Sequence, residues 1–226
     1  MFIPESDLAV TMPVPGKIDR TPRLQRFHVQ AFCIDRTEVP LGRWRWDVCQ
    51  KPNRQCDATV RRGPTVCITH RQAECHCAQG TPGVVKRLPT DPEWLIAALG
   101  TDGRKHPWGN VDYPDGAQVG RDFCPDQAQL PPGEILCPVE ANVRDTSPFG
   151  VIGMGTNGSE MTATCVTREE APELPPECVV RETTLGASDS GVLQTPTHLV
   201  PVDYGLGSGI SPVMSFRCVT SERVQR

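Results

Sequence analysis

The sequence predicts one loop-rich domain that mixes short strands with short helices and is cross-linked by disulfides, and three observations lead there. Turn-forming residues come first: 226 residues include 20 glycines and 23 prolines, against a hydrophobic fraction of 38% and an aromatic fraction of 5%. That composition fits irregular backbone and does not fit a helical bundle. Length comes second, because a chain of this size buries a single core; residues 1–226 are read as one domain whose apolar area needs a supplement. Cysteine is that supplement: the 11 cysteines are spread along the chain and not gathered in CxxC pairs. Dispersed cysteines favour disulfides over metal, and an oxidising, extracytoplasmic compartment (periplasm, cell surface or secretion) over the cytosol. An odd number leaves at least one thiol free or bonded to a second chain.

The elements follow in chain order. Residues 26–35, RFHVQAFCID, alternate apolar Phe27, Val29 and Ala31 with polar neighbours and close on Phe32 and Ile34, which predicts a strand with one buried face. Leu41, Trp44 and Val48 then fall at helical spacing behind Pro40, which suits a first-turn position; the expectation is a helix of about three turns. Thr69 can cap a short helix over 71–79 that ends before Gly80 and places Ala73 and Cys77 on one face. The strongest local signal is RLPTDPEWLIAALG (87–100). Here Thr90 and Glu93 form a capping box, Pro92 is tolerated in the first turn and Gly100 supplies the stop, giving an amphipathic surface helix. From Thr101 to Pro148 turn signals crowd together, among them Asp102-Gly103, Pro114-Asp115-Gly116 and Pro131-Pro132-Gly133. Two further strands are expected, over 178–181 and 214–219.

Charge excludes several functions. The net charge of −4 advertises no basic face, so nucleic acid is not an expected partner. No stretch approaches the ~18 apolar residues of a membrane span. Met1-Phe2-Ile3-Pro4 also lacks the regions of a signal peptide, a tension with the cysteine content that is resolved if the chain lacks its native start or is one domain of a longer protein.

Five motifs occur in a fixed order: FCIDRTEV (32–39), KRLPTDPEW (86–94), DGRKHPWGN (102–110), SPFGVIGMGTN (147–157) and SFRCV (215–219). Together they resemble the formylglycine-generating enzyme family, the sulfatase-modifying factor domain, over nearly the whole chain. The resemblance implies an α+β fold with little regular secondary structure, a variant of the C-type lectin fold. It also implies an activity, the copper-dependent oxidation of a client sulfatase's cysteine to formylglycine. Family enzymes hold that copper with two cysteines in the segment before G-F-R-C, a soft thiolate pair suited to Cu(I). Here the segment from Arg181 to Phe216 contains no cysteine; counting places Val192 and Thr197 where the pair would sit. The preceding R-G-G-S-W motif is degraded to Arg181-Glu182-Thr183-Thr184-Leu185. Copper is therefore not expected.

The resemblance further implies calcium near the G-N-V-W-E-W motif, where Asn157 and Glu160 retain hard oxygen donors beside backbone carbonyls around Gly158. Ser159 and Met161 replace the tryptophans, and an ordinary polar turn is the alternative reading. A second family calcium site cannot be placed among Asn110, Asp112, Asp115 and Asp122. The family's long bridge carries over as Cys77 with Cys218. Short loops suggest Cys49 with Cys56, Cys124 with Cys137 and Cys165 with Cys178, leaving Cys33, Cys67 and Cys75 for one bridge and one free thiol.

Competing motifs are weaker. Cys67, His70, Cys75, His76 and Cys77 offer zinc-type donors, but not as two separated pairs. His28, His106 and His198 have no partner nearby in sequence. Asp189-Ser190-Gly191 lacks the context of a nucleophile turn, and Gly205-Leu206-Gly207-Ser208-Gly209 precedes no helix signal. Iron-dependent sulfoxide synthases, which join this fold to a three-histidine domain, are excluded because that domain is missing. The reading that results is a non-catalytic module presenting loops 101–145 and 182–213 to a protein or glycan, a use the fold has in lectins and retroelement-diversified variable proteins. The alternatives are a copper-dependent oxidase with displaced cysteines at Cys165 or Cys178, and a structural domain of a larger extracellular assembly.

Overall fold

Thr90 begins the helix around which the chain packs. Its side chain accepts a hydrogen bond from the Glu93 backbone while the Glu93 carboxylate accepts from the Thr90 backbone, closing the expected capping box. The helix, Asp91–Leu99, ends at Gly100, whose φ of 63° lies where a side chain is unfavourable. It is not a surface helix: Trp94, Leu95, Ile96, Ala97 and Ala98 are all fully buried. Sheets and loops from distant parts of the chain cover the face that its spacing left to solvent.

The computed structural model describes residues 1–12, 21–44, 49, 63–79, 84–111, 136–141, 143–155, 157–166, 169, 177–181, 197–201 and 214–221. In order, the elements are β1 (Phe2–Ile3), β2 (Ser6–Met12), β3 (Arg23–Val29), β4 (Phe32–Ile34), a 3-10 turn (Leu41–Arg43), α1 (His70–Ala78), β5 (Lys86–Arg87), α2 (Asp91–Leu99), β6 (Ser159–Val166), β7 (Glu177–Arg181), β8 (Thr197–Pro201), β9 (Met214–Ser215) and β10 (Val219–Ser221). They form a four-stranded sheet in the order β1-β4-β10-β5, a hairpin β2-β3, and a second four-stranded sheet β8-β7-β6-β9. Within the second sheet β6 pairs antiparallel with β7 but parallel with β9.

Several expectations are refined. The strand over 26–35 is two strands, because the chain passes from the hairpin to the first sheet between Val29 and Phe32. The strand over 214–219 is likewise two, β9 in one sheet and β10 in the other. Only a 3-10 turn stands at 41–43 where a longer helix was expected; residues 45–48 lie outside the described residues. α1 forms as read, with Thr69 and Gln72 completing a second capping box and Ala73 and Cys77 buried.

Two apolar clusters fill the interior. One joins α2 to Ile3, Phe32, Ile34, Val151, Met154 and Val219; the other gathers Trp44, Ile68, Leu88, Phe216 and the Cys77–Cys218 bridge. Bridges link α1 to both sides: Cys75 is bonded to Cys49 and Cys77 to Cys218, with Cα separations of 5.7 and 5.6 Å. The short-loop pairing of Cys49 with Cys56 is thus corrected, since α1 presents Cys75 to Cys49 across 26 residues. Cys67, Cys137 and Cys165 are also disulfide-bonded, and Cys165 stands opposite Cys178 in the β6–β7 register. Cys56 and Cys124 lie outside the described residues. Cys33 in β4 is the free thiol among those described.

Candidate functional site

Four of the five motifs end at one buried polar hub. Arg217, from the crossover between β9 and β10, is fully buried and places its guanidinium on Glu160 of β6. Nε reaches Glu160 Oε2 at 2.7 Å and Nη2 reaches Oε1 at 2.5 Å. Trp94 Nε1 of α2 donates to the same Oε2 at 2.7 Å. The remaining guanidinium N–H groups meet backbone carbonyls of Ile152, Asp35 and Arg36. Burial opposes the Arg217 charge, but the carboxylates of Glu160, Glu38 and Asp145 outweigh it and hold the group protonated. Such a pair tolerates burial because nearly every donor and lone pair is engaged.

Glu38 completes the hub. It is 1% exposed, accepting from Ser215 Oγ at 2.6 Å and Asn157 Nδ2 at 2.6 Å. Burial, aided by the neighbouring charge of Glu160, pushes its carboxyl up to about 7. Asn157 in turn accepts from the Cys137 backbone through Oδ1 at 2.9 Å.

These bonds bear on calcium. Both Glu160 oxygens are taken by Arg217 and Trp94, and a cation there would face a guanidinium. Asn157 spends its amide on Glu38 and Cys137, and Gly158 is buried beside it. The donor set at 157–160 does not fit calcium: the positions expected to be ligands are struts of the core. Asp112, Asp115 and Asp122 lie outside the described residues. Nor do the zinc-type donors assemble, since Cys67, Cys75 and Cys77 are in disulfides, His70 Nε2 lies 2.7 Å from the Thr162 carbonyl and His76 stacks on Trp44 at 5.1 Å. His28 is not isolated, as Nδ1 lies 2.8 Å from Asp7 across the β2–β3 hairpin; His106 stacks on Trp108 at 4.7 Å. For copper, Val192 and the degraded motif at 182–185 are outside the described residues, but the segment from Arg181 to Phe216 offers no thiolate at all. The residues of that segment do not fit a Cu(I) thiolate site.

Against the hub lies a polar cleft of about 500 Å³ whose walls include Asp35, Arg36, Arg43, Lys86 and Glu140, with Glu38 also in its lining. A smaller cavity of about 190 Å³ shares Thr37, Pro40, Arg43 and Glu140 with it, so the two adjoin. Lys86 Nζ is paired with Asp35 Oδ1 at 2.7 Å. The exposed side chains of Arg36 and Arg43 have no carboxylate partner among the described residues. A third cavity, about 700 Å³, opens between β3 and the start of α2 beside Arg26, His28, Arg87 and Glu93. Periodicity and spacing gave no sign of Glu38, Trp94 or Arg217 as partners; their place within the ordered motifs is the one signal they carry.

A profile described as sulfatase-modifying factor enzyme 1-like domain matches residues 9–219. The solved structure of Treponema denticola variable protein 1 superposes with a TM-score of 0.64 at 13% identity, covering 98% of this chain and 94% of that one. At that identity the likeness speaks for the fold. No curated protein matches the sequence.

Proposed function

The chain belongs to the sulfatase-modifying factor enzyme 1-like domain family, and from that premise we propose that it is a non-catalytic binding module, secreted or held at the cell surface, for a protein or glycan ligand. One observation carries this reading: among the described cysteines only Cys33 is a free thiol. Oxidation of a client cysteine in this family requires a thiolate pair on copper, and Cys165, a candidate for a displaced pair, is in a disulfide. The motif residues meanwhile bond to one another inside the core, which makes them a scaffold for surface loops. Disulfide-bonded cysteines are consistent with an extracytoplasmic location, and no described helix is long and apolar enough to cross a membrane.

The test sets the protein against the oxidase reading. Purified chain is titrated with Cu(I) against a chromogenic chelator and incubated aerobically with a Cys-x-Pro-x-Arg peptide. The expected result is no thiol-dependent copper retention and no loss of peptide thiol. Conversion of the peptide to the aldehyde would overturn the proposal.

A further inference from the structure

The cleft against the hub has an unbalanced inventory. Asp35 is neutralised by Lys86 at 2.7 Å, and its second oxygen accepts from the Cys218 backbone at 3.2 Å. Glu38 is satisfied by Ser215 and Asn157. Arg36 and Arg43 stand apart, exposed and with no ion pair among the described residues. They flank the segment that carries Thr37, Glu38 and Pro40, and both line the same cavity.

Unpaired guanidiniums in a concave polar site recognise planar oxyanions, because the fork matches the two oxygens of a carboxylate. Glu140, acidic and in the same wall, disfavours a doubly charged phosphate, and Asp35, although paired with Lys86, keeps carboxylate lone pairs that can accept hydrogen bonds from hydroxyl groups. Pro40 and Val143 add apolar surface suited to the C–H face of a sugar ring. The volume of about 500 Å³ lies in the range of small-ligand sites, and the adjoining cavity of about 190 Å³ lengthens it beyond one ring.

We infer that this cleft binds a carboxylated sugar, a uronic acid unit of an acidic glycan, with Arg36 and Arg43 on its carboxylate and Asp35 and Glu140 accepting from its hydroxyls. The inference rests on the binding-module reading and names its ligand class. Part of the wall, made by Pro138, Val139, Glu140 and Val143, belongs to the loop region 101–145 that the sequence marks as the presenting surface.

Calorimetry on the full chain tests it, with D-glucuronic acid and trigalacturonic acid as probes and maltotriose, glutamate and inorganic phosphate as comparators. The expected result is binding of the uronates, none of maltotriose, and about tenfold or greater weakening in Arg36→Gln and in Arg43→Gln, each checked for an unchanged melting temperature. Arg43→Lys keeps the charge without the fork and should lose less than Arg43→Gln. Equal binding of maltotriose, tighter binding of phosphate or glutamate, or indifference to the arginine substitutions would overturn the inference. Absence of uronate binding, with the sulfatase peptide also left unoxidised, would overturn the ligand assignment and leave the binding-module reading standing.

Discussion

Glu38 is a residue whose ordinary chemistry has been reset by where it sits. Burial and the charge of Glu160 raise its carboxyl from 4.5 to about 7, so between those values the folded chain holds a proton that the unfolded chain has released. Stability from this group therefore falls as pH rises from about 4.5 to about 7. Glu93 acts in the opposite sense. Burial pushes it up, but hydrogen bonds from Arg87 and the Thr90 backbone prevail and lower it, so its contribution is present above its unfolded value and lost as pH falls through the folded one. Urea denaturation at pH 5 and pH 8 should find the protein less stable at the higher pH, and Glu38→Gln should remove most of that difference. The substitution fits the site: its amide nitrogen can donate to Ser215 Oγ, which can turn its own proton to the Ser159 carbonyl 3.4 Å away, while its oxygen accepts from Asn157. A pH dependence unchanged in the variant would show that Glu38 does not titrate in this window.

At the scale of elements, α2 states what local signals can and cannot fix. Both of its ends are written in the chain: Thr90 and Glu93 close the start, and Gly100 closes the finish. A Cβ at Gly100 would stand 2.8 Å from Pro148 Cγ at a φ of 63°. Gly100→Ala should thus destabilise the fold by about 1–3 kcal/mol through combined backbone strain and contact, measured by chemical denaturation; a neutral result would mean that Pro148 yields. The burial of α2, by contrast, is not a property of its spacing. Trp94 and Ala98 share one face and Leu95 and Leu99 another, a pattern that suits a half-exposed helix. Buried Ile96 and Ala97 are accounted for only by the elements laid over them.

At the scale of the molecule, the Cys77–Cys218 bridge spans 141 residues, tying α1 to the crossover that carries Arg217. Loop-closure entropy assigns such a link about 4–5 kcal/mol. Replacing both cysteines by alanine should lower the unfolding free energy by about that amount at unchanged pH. A loss below about 1 kcal/mol would mean that the other bridges already restrict the unfolded chain. The cross-links also account for how irregular loops persist around small sheets: constraint on the unfolded state replaces part of the apolar area that a chain with this composition lacks.

The sequence alone determined what depends on near neighbours. Capping boxes place both helices, glycine and proline mark the turns, the number and dispersion of cysteines indicate disulfides, and a cysteine-free run from Arg181 to Phe216 removes the thiolates that copper would need. Only the tertiary structure decided what depends on meetings across the chain. Trp94 and Glu160 are 66 residues apart, Glu160 and Arg217 57, and Glu38 and Ser215 177; no periodicity records such pairs. Asn157 and Glu160 read as hard cation ligands until a guanidinium and a second carboxyl arrive beside them, and Cys49 faces Cys56 in sequence but Cys75 in space. The physical reason is common to all of these. Helix ends and turns are set by backbone hydrogen bonds within a few residues, whereas charge compensation and disulfide pairing are set by which surfaces the folded chain brings together.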